Sequence, residues 1–180
     1  GSSKAFALDH QACKELFDES YRVYERYVFL LQLKDFKRVV RDTQRNMKLF
    51  RFVHRHAAEE DDRNYLQRWW PYIIRINAEA RSMRHLKREQ HPEALEVLYQ
   101  AKKRILGLED MEAEEFLSER QRSAEVLDDM IKELGRGRPM NRQEKLQKAL
   151  DIAVDDEEYE RAATIRDQLG SARAASNESA

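Results

Sequence analysis

The stretch Lys145–Leu169, KLQKALDIAVDDEEYERAATIRDQL, spells two short helices that meet at an acidic turn. Leu146, Leu150 and Ala153 recur at helical spacing before the turn. Tyr159, Ala162, Ala163, Ile165, Arg166 and Leu169 continue that spacing after it. Asp155 or Asp156 is expected to cap the second helix, because a carboxylate there accepts from backbone N–H groups left without intrahelical partners. Asp155 and Glu158 stand three apart, which fits a capping box with Asp replacing the usual Ser or Thr. The adjacent alanines remove side-chain bulk, so a second backbone can approach this helix closely. A two-helix unit of about thirty residues buries its own apolar stripe poorly. The stretch therefore predicts a helical chain whose last folded segment needs cover from elsewhere.

Outward from this hairpin, composition points the same way. Arg, Lys, Glu, Leu and Ala dominate, and 180 residues hold only five glycines and three prolines, which favours long helices. Charged residues at 37% against 41% hydrophobic imply amphipathic helices with wet outer faces. A net charge of −1 excludes a globally basic coat for nucleic acid. The single Cys13 rules out an internal disulfide and suits a reducing cytosol. No apolar run approaches the roughly 20 residues of a membrane span, so no membrane partner is expected. No signal peptide is visible, and residues 1–4, opening Gly1-Ser2-Ser3, read as a cloning remnant. The expectation is a soluble bacterial protein of the cytoplasm.

The fold class expected is all-α: an antiparallel bundle of five or six helices over residues 5–134, then the short C-terminal hairpin over 141–170. The first helix is predicted from Leu8 or Asp9 to about Leu31, with Cys13, Leu16, Phe17, Val23, Tyr24, Tyr27, Val28 and Leu31 inward. The second starts near Asp35 and carries Phe36, Val39, Val40, Thr43, Met47, Phe50, Val53 and Ala57 on one stripe. The acids at 59–62 mark a new helix start, where carboxylates meet the positive end of the helix dipole. From Arg63 to Gln90 the pattern is helical but interrupted by Trp69-Trp70-Pro71, so a break is expected near Trp70. Tyr65, Leu66, Trp69, Ile73, Ile76, Ala80, Met83 and Leu86 would face inward. A further helix opens at His91-Pro92 and stops near Gly107. An acidic one spans Asp110 to Leu134. Residues 135–140, Gly-Arg-Gly-Arg-Pro-Met, read as a linker, and 171–180 as a disordered tail.

The terminal hairpin resembles the UVR motif, named for the repair proteins UvrB and UvrC and also present in certain AAA+ chaperones and their adaptors. The residues that carry the resemblance are Glu157-Glu158-Tyr159-Glu160, Arg161-Ala162-Ala163, Ile165-Arg166-Asp167 and Leu169. The family more often has Phe where this chain has Tyr159. The resemblance covers about one sixth of the chain and implies a protein–protein docking element with no chemistry of its own. It implies contact residues Tyr159, Ala162, Ala163, Ile165 and Leu169, with Arg166 and Asp167 setting partner choice through ion pairs. The partner expected is another helical protein or a second copy of the chain. A non-catalytic adaptor or scaffold is therefore the leading functional expectation.

Signals for chemistry are sparse. His54 and His56 are two apart, so on a helix they point in different directions and cannot chelate together. Cys13 sits on an apolar stripe with no partner placed beside it, which makes it a small core residue rather than a nucleophile. Glycine-rich phosphate loops are absent, and neither an enzyme, a cofactor nor a metal is expected. The basic face Lys37, Arg38, Arg41, Arg45, Lys48, Arg51 and Arg55 supports a second expectation. It continues through Arg63, Arg68, Arg75, Arg81, Arg84, Lys87 and Arg88. With Trp69, Trp70 and Tyr72 it could track phosphates and stack bases, giving a nucleic-acid-binding protein tied to repair. Solvated outer faces, or pairing with the acidic helix, are the plainer alternatives.

Overall fold

The computed structural model describes residues 6–137 and 140–177, with side chains described as far as residue 172. The chain divides into two compact units, Gly1–Arg136 and Gly137–Ala180. The first holds six α-helices: α1 (His10–Gln32), α2 (Phe36–His56), α3 (Glu60–Tyr65), α4 (Trp70–Leu86), α5 (His91–Leu106) and α6 (Glu114–Gly137). The second holds α7 (Arg142–Asp155) and α8 (Tyr159–Asn177). The fold is all-α, as the periodicity predicts. Among the described residues no strand forms, only a single bridge in which Leu8 pairs with Ala57 across the start of α1 and the end of α2.

Local chemistry sets the helix ends. Asp9 caps α1 by accepting from the Ala12 N–H at 2.8 Å, and Asp35 caps α2 by accepting from Arg38 at 3.2 Å. Three helices end in a residue of left-handed conformation that is not glycine: Lys34, Glu89 and Glu157, each with φ near 58–59°. After α1, Asp35 N–H bonds Leu30 O and Lys34 N–H bonds Leu31 O. After α4, Gln90 bonds His85 and Glu89 bonds Leu86; after α7, Glu158 bonds Ala153 and Glu157 bonds Val154. This is the six-to-one plus five-to-two pattern that satisfies the orphan carbonyls of a helix end.

α4 is the central helix of the first unit. Its buried residues include Ile73, Ile74, Ile76, Ala78 and Ala80, so apolar side chains leave it in several directions. Ile73, Ile74 and Ala78 join Phe50, Val53, Leu98, Ile105, Leu127 and Ile131 in the main core. Ile76 and Ala80 join Val23, Tyr27, Phe36 and Val39 in a second one. Buried polar bonds stitch the layers: Asn77 Nδ2 donates to Thr43 Oγ1 at 2.9 Å, and Thr43 Oγ1 donates to Val39 O at 2.8 Å. Asp42, buried in α2, accepts from Arg26 Nε at 2.7 Å and Arg41 Nε at 3.0 Å. Burial alone raises its pKa, but those two guanidiniums outweigh it and hold the carboxyl below its usual range.

Several expectations need correction. The break expected near Trp70 is present, as a single 3-10 turn over Gln67–Trp69 with Pro71 accommodated in the first turn of α4, but its effect on the inward residues was not foreseen. That turn resets the helical register, so Tyr65 and Trp69 face solvent while Trp70 is buried. The acidic helix begins at Glu114, four residues past Asp110, because Asp110 instead pairs with Arg120 across the preceding loop. Gly135 and Gly137 belong to α6 and Gly170 to α8, so the helices run past the expected linker start and tail start. Glycine weakens a helical turn by about 1 kcal/mol but keeps its N–H, and so does not end it as proline does. Residues 1–4, 138–139 and 178–180 of those expected segments lie outside the described residues.

Candidate functional site

α7 opens at Asn141 with a reciprocal capping box. The Asn141 side chain accepts from Glu144 N–H at 2.8 Å, and the Glu144 carboxylate accepts from Asn141 N–H at 2.8 Å. Asn followed three residues later by Glu was the sequence signal for it. The expected cap on the second helix is absent from Asp155 and Asp156, since Asp155 is the last residue of α7 and Asp156 its C-cap. α8 begins only at Tyr159, with Glu158 O accepting the Ala162 N–H at 2.9 Å. The left-handed Glu157 displaced the turn by two residues.

The hairpin closes on a core of Ala153, Ala162 and Ile165, against which Leu146, Ala149 and Leu150 pack. Leu169 is buried as well. Ala162, Ile165 and Leu169 lie three and seven apart on α8, and that stripe faces α7. These three therefore are not free contact residues; the hairpin uses them on itself. Of the remaining contact residues, Ala163 is half-buried, while Tyr159, Arg166 and Asp167 are exposed. Tyr159 is 68% exposed, more than any other exposed large hydrophobic among the described residues. Ile152 and Val154 of α7 join it at the surface, two residues the sequence reading missed because they fall between the heptad-like positions. A groove runs between the helices here, lined by Val154, Tyr159, Ala163 and Arg166 together with Asp151 and Asp155.

In the first unit, all seven residues of the basic face, Lys37, Arg38, Arg41, Arg45, Lys48, Arg51 and Arg55, are exposed. Three are answered locally: Arg38 by Asp35 at 3.5 Å, Arg41 by Asp42 at 3.0 Å and Arg45 by Glu19 at 2.7 Å. Arg51 and Arg104 lie over Trp70, at 5.5 Å and 5.4 Å from the ring centroid. Burial, and then the Arg51 charge, lower the pKa of Arg104. The expected continuation of this face fails at Arg75, which is 8% exposed. Its Nη1 donates to Glu79 at 2.9 Å, its Nε to Ser123 at 3.1 Å and its Nη2 to Glu119 at 3.3 Å. Arg68 pairs with Glu115 at 3.4 Å. The acidic helix thus takes two arginines of the proposed phosphate track. Trp70 also drops out as a stacking platform, since it is buried and its Nε1 donates to Gln67 at 2.7 Å.

Cys13 has a partner after all. The Asp62 carboxylate lies beside it and accepts from His10 Nδ1 at 3.0 Å. Burial, and then the Asp62 and Asp9 charges, push the thiol up, so a thiolate is disfavoured. His54 is directed at the Arg63 carbonyl at 3.3 Å, while His56 packs on the rings of Phe6 and Phe52. Among the described residues, no group of three His, Cys, Asp or Glu is placed to hold a metal ion, and no helix is long and apolar enough to cross a membrane.

These features define an all-helical chain that ends in a two-helix hairpin with a small-residue core and an exposed aromatic beside its turn. Residues 141–175 match the family model of the UvrB/uvrC motif, so the chain carries that motif in its C-terminal region. The match spans both helices of the hairpin and none of Gly1–Arg136. No curated protein and no solved structure matches the chain.

Proposed function

We propose that this chain is a non-catalytic adaptor or scaffold, needing no cofactor, that docks through its C-terminal hairpin onto another two-helix hairpin. The observation that carries the reading is the exposed apolar pair Tyr159 and Val154 beside Ala163 in the groove, on an element matched to the UvrB/uvrC motif. A large aromatic left in water at a helix start gains its apolar area only when a partner covers it. The groove also carries both charge signs, Arg166 with Asp151 and Asp155. Two copies related by a two-fold axis would pair Arg166 of each with an aspartate of the other, since such an interface is self-complementary. A second copy of the chain is therefore the occupant favoured here.

Sedimentation of the full chain tests this directly. The parent is expected to dimerise, and Tyr159→Asp or Arg166→Glu to shift it to monomer with unchanged helical content. Ala162→Glu is unsuitable, because Ala162 lies in the hairpin core and its loss would unfold the element. A parent that stays monomeric, or variants that assemble like it, would overturn the self-docking reading.

One observation supports a second reading, nucleic-acid binding by the basic face. Among the described residues, Lys37, Lys48, Arg51 and Arg55 have no carboxylate within ion-pair distance, and Arg104 adds a further cation beside Arg51. On that reading, affinity for a single-stranded oligonucleotide falls steeply with salt, and Lys48→Glu with Arg51→Glu abolishes it. Affinity indifferent to both removes it.

A further inference from the structure

The basic face of α2 carries an exposed apolar ring, Phe52. It stands four residues after Lys48 and three before Arg55, so all three project from the same side of the helix. Phe52 is 41% exposed, although α2 buries its apolar stripe in the cores of the first unit. The fold brings a second ring to it. Leu8 N–H donates to His56 O at 2.7 Å and Ala58 N–H donates to Leu8 O at 2.9 Å, which pins the segment before α1 against the end of α2. Phe6, two residues earlier and 66% exposed, therefore lies beside Phe52, with ring centroids 6.3 Å apart. The His56 ring completes the cluster, 5.4 Å from Phe6 and 4.7 Å from Phe52.

Single exposed apolar side chains need no explanation, but here two rings share one patch with cations that have no local answer. Among the described residues, Lys48, Arg51 and Arg55 have no carboxylate within ion-pair distance, whereas Arg41 and Arg45 do. Arg51 is seated over the Trp70 ring at 5.5 Å, and Arg104 of α5 joins it over the same ring at 5.4 Å. The acids that follow α2 bound the patch on one side: Asp62 accepts from His10, and Glu59 and Glu60 are exposed at the start of α3. A polyanion seated on the rings is thus favoured to run back along α2 toward Lys48 rather than past the helix end. Positive charge beside flat apolar faces suits an unpaired strand, whose bases stack on rings while its phosphates meet the cations. A duplex keeps its bases stacked on one another and would use the cations alone. A membrane surface would need more apolar area than two rings, and the stripe of α2 that could supply it is buried.

We infer that Phe6 and Phe52 form a stacking platform for unpaired bases of a single-stranded nucleic acid whose phosphates are held by Lys48, Arg51 and Arg55. The platform rests on the nucleic-acid reading of the basic face. It moves stacking from Trp70 and Tyr72, which pack in the cores, to rings that solvent reaches.

Fluorescence anisotropy of the full chain with a labelled oligothymidylate tests this, with an abasic oligomer of equal length and charge beside it. Oligothymidylate should bind at least fivefold more tightly than the abasic strand. Both should show the same dependence on salt, since they present the same phosphates. Phe6→Ala and Phe52→Ala, at exposed positions, should each weaken oligothymidylate at least fivefold. Helical content, abasic binding and the salt dependence should stay as in the parent. Arg51→Ala should instead weaken both strands alike and flatten the salt dependence. Salt-dependent binding that is equal for the two oligomers, or unaltered by either phenylalanine variant, overturns the platform and leaves the nucleic-acid reading standing. A salt dependence unmoved by Arg51→Ala overturns the phosphate assignment. Tighter binding of duplex, or of phosphatidylserine vesicles, through the same two phenylalanines overturns the choice of a single strand. No salt-dependent binding of either oligomer removes both the platform and the reading beneath it.

Discussion

In Gly1–Arg136 the interior is filled by large side chains, with Tyr27, Ile73, Leu98, Ile105 and Leu127 fully buried, whereas the hairpin closes over Ala153, Ala162 and Ile165. The first unit also ties its layers with buried ionic groups, Arg75 to two glutamates and Asp42 to two arginines. In the hairpin, Arg161 pairs with Glu158 across one helical turn at the surface. One unit is thus held by area and by costly charges that must stay paired. The other is closed by a capping box, small-residue contact and a Gln143 Nε2 bond to Ala172 O at 3.2 Å. The difference teaches where cover is needed: the element with the thin core is also the one that leaves Tyr159, Ile152 and Val154 in water.

The sharpest way to break the comparison is Arg75→Met. Removing one member of a buried ionic group strands the others, and such losses cost about 3–5 kcal/mol. Glu79 and Glu119 would both remain largely buried without their shared cation. Chemical denaturation should show the first unit destabilised by that amount, with amide exchange in α7 and α8 unaltered. If Arg75→Met costs under about 1 kcal/mol, the ionic network is not what distinguishes the first unit.

Ile165→Ala attacks the other side. Ile165 is the one β-branched aliphatic among the three buried core residues of the hairpin. Its truncation should cost about 2–3 kcal/mol, near the low end for a buried aliphatic because so thin a core collapses readily. The expected readout is rapid amide exchange throughout α7 and α8, with the thermal midpoint of the first unit unmoved. Protection that survives in the hairpin would mean that its helices are stable without their core.

A smaller effect, dependent on pH, comes from Asp42. Its pKa is lower folded than unfolded, so its stabilisation is complete above the usual carboxyl value of 3.8 and is lost as pH falls through the folded value. Asp42→Asn should cost about 1–2 kcal/mol at pH 7, since the arginine partners are half-exposed and solvent weakens the pairing. The gap to the parent should narrow below pH 3.8 and leave the hairpin's exchange unchanged. A gap constant from pH 7 to pH 2 would show that the charge is not the cause.

Much of this contrast was legible in the residues. The stripes of α1 and α2, the acidic start of α3, the proline-led α5 and the hairpin all follow from spacing, because their apolar period is unbroken. Three features were not. The burial of Arg75 depends on Glu119 and Ser123, more than forty residues away, and no local pattern encodes such a pairing. The exposure of Trp69 in place of Trp70 depends on one 3-10 turn that shifts the register. On the hairpin, spacing identified Ala162, Ile165 and Leu169 as apolar without saying whether α7 or a partner would cover them. That ambiguity is physical, because a helix stripe carries no mark of what it packs on.

The turn that joins α7 and α8 gives the finest test. Glu157 holds φ at 58°, a region that costs an L-residue roughly 1 kcal/mol and costs glycine nothing. Lys34 and Glu89 stand in the same conformation in the first unit, which makes an internal control available. Glu157→Gly, Lys34→Gly and Glu89→Gly should each relieve about the same strain, offset by the greater freedom glycine gives the unfolded chain, for a net gain of at most about 1 kcal/mol. In the well-filled unit that gain is a small fraction of the total. In the hairpin it is a large one. The same gain slows exchange through opening by the same factor whatever the total. Glu157→Gly should therefore slow α7 and α8 by up to about fivefold, and each control should do likewise for amides whose opening breaks its own turn. Slowed exchange at the two controls with none in α7 and α8 would show that the hairpin opens without releasing the Glu157 turn, and the unit with the thin core would then not open as one element.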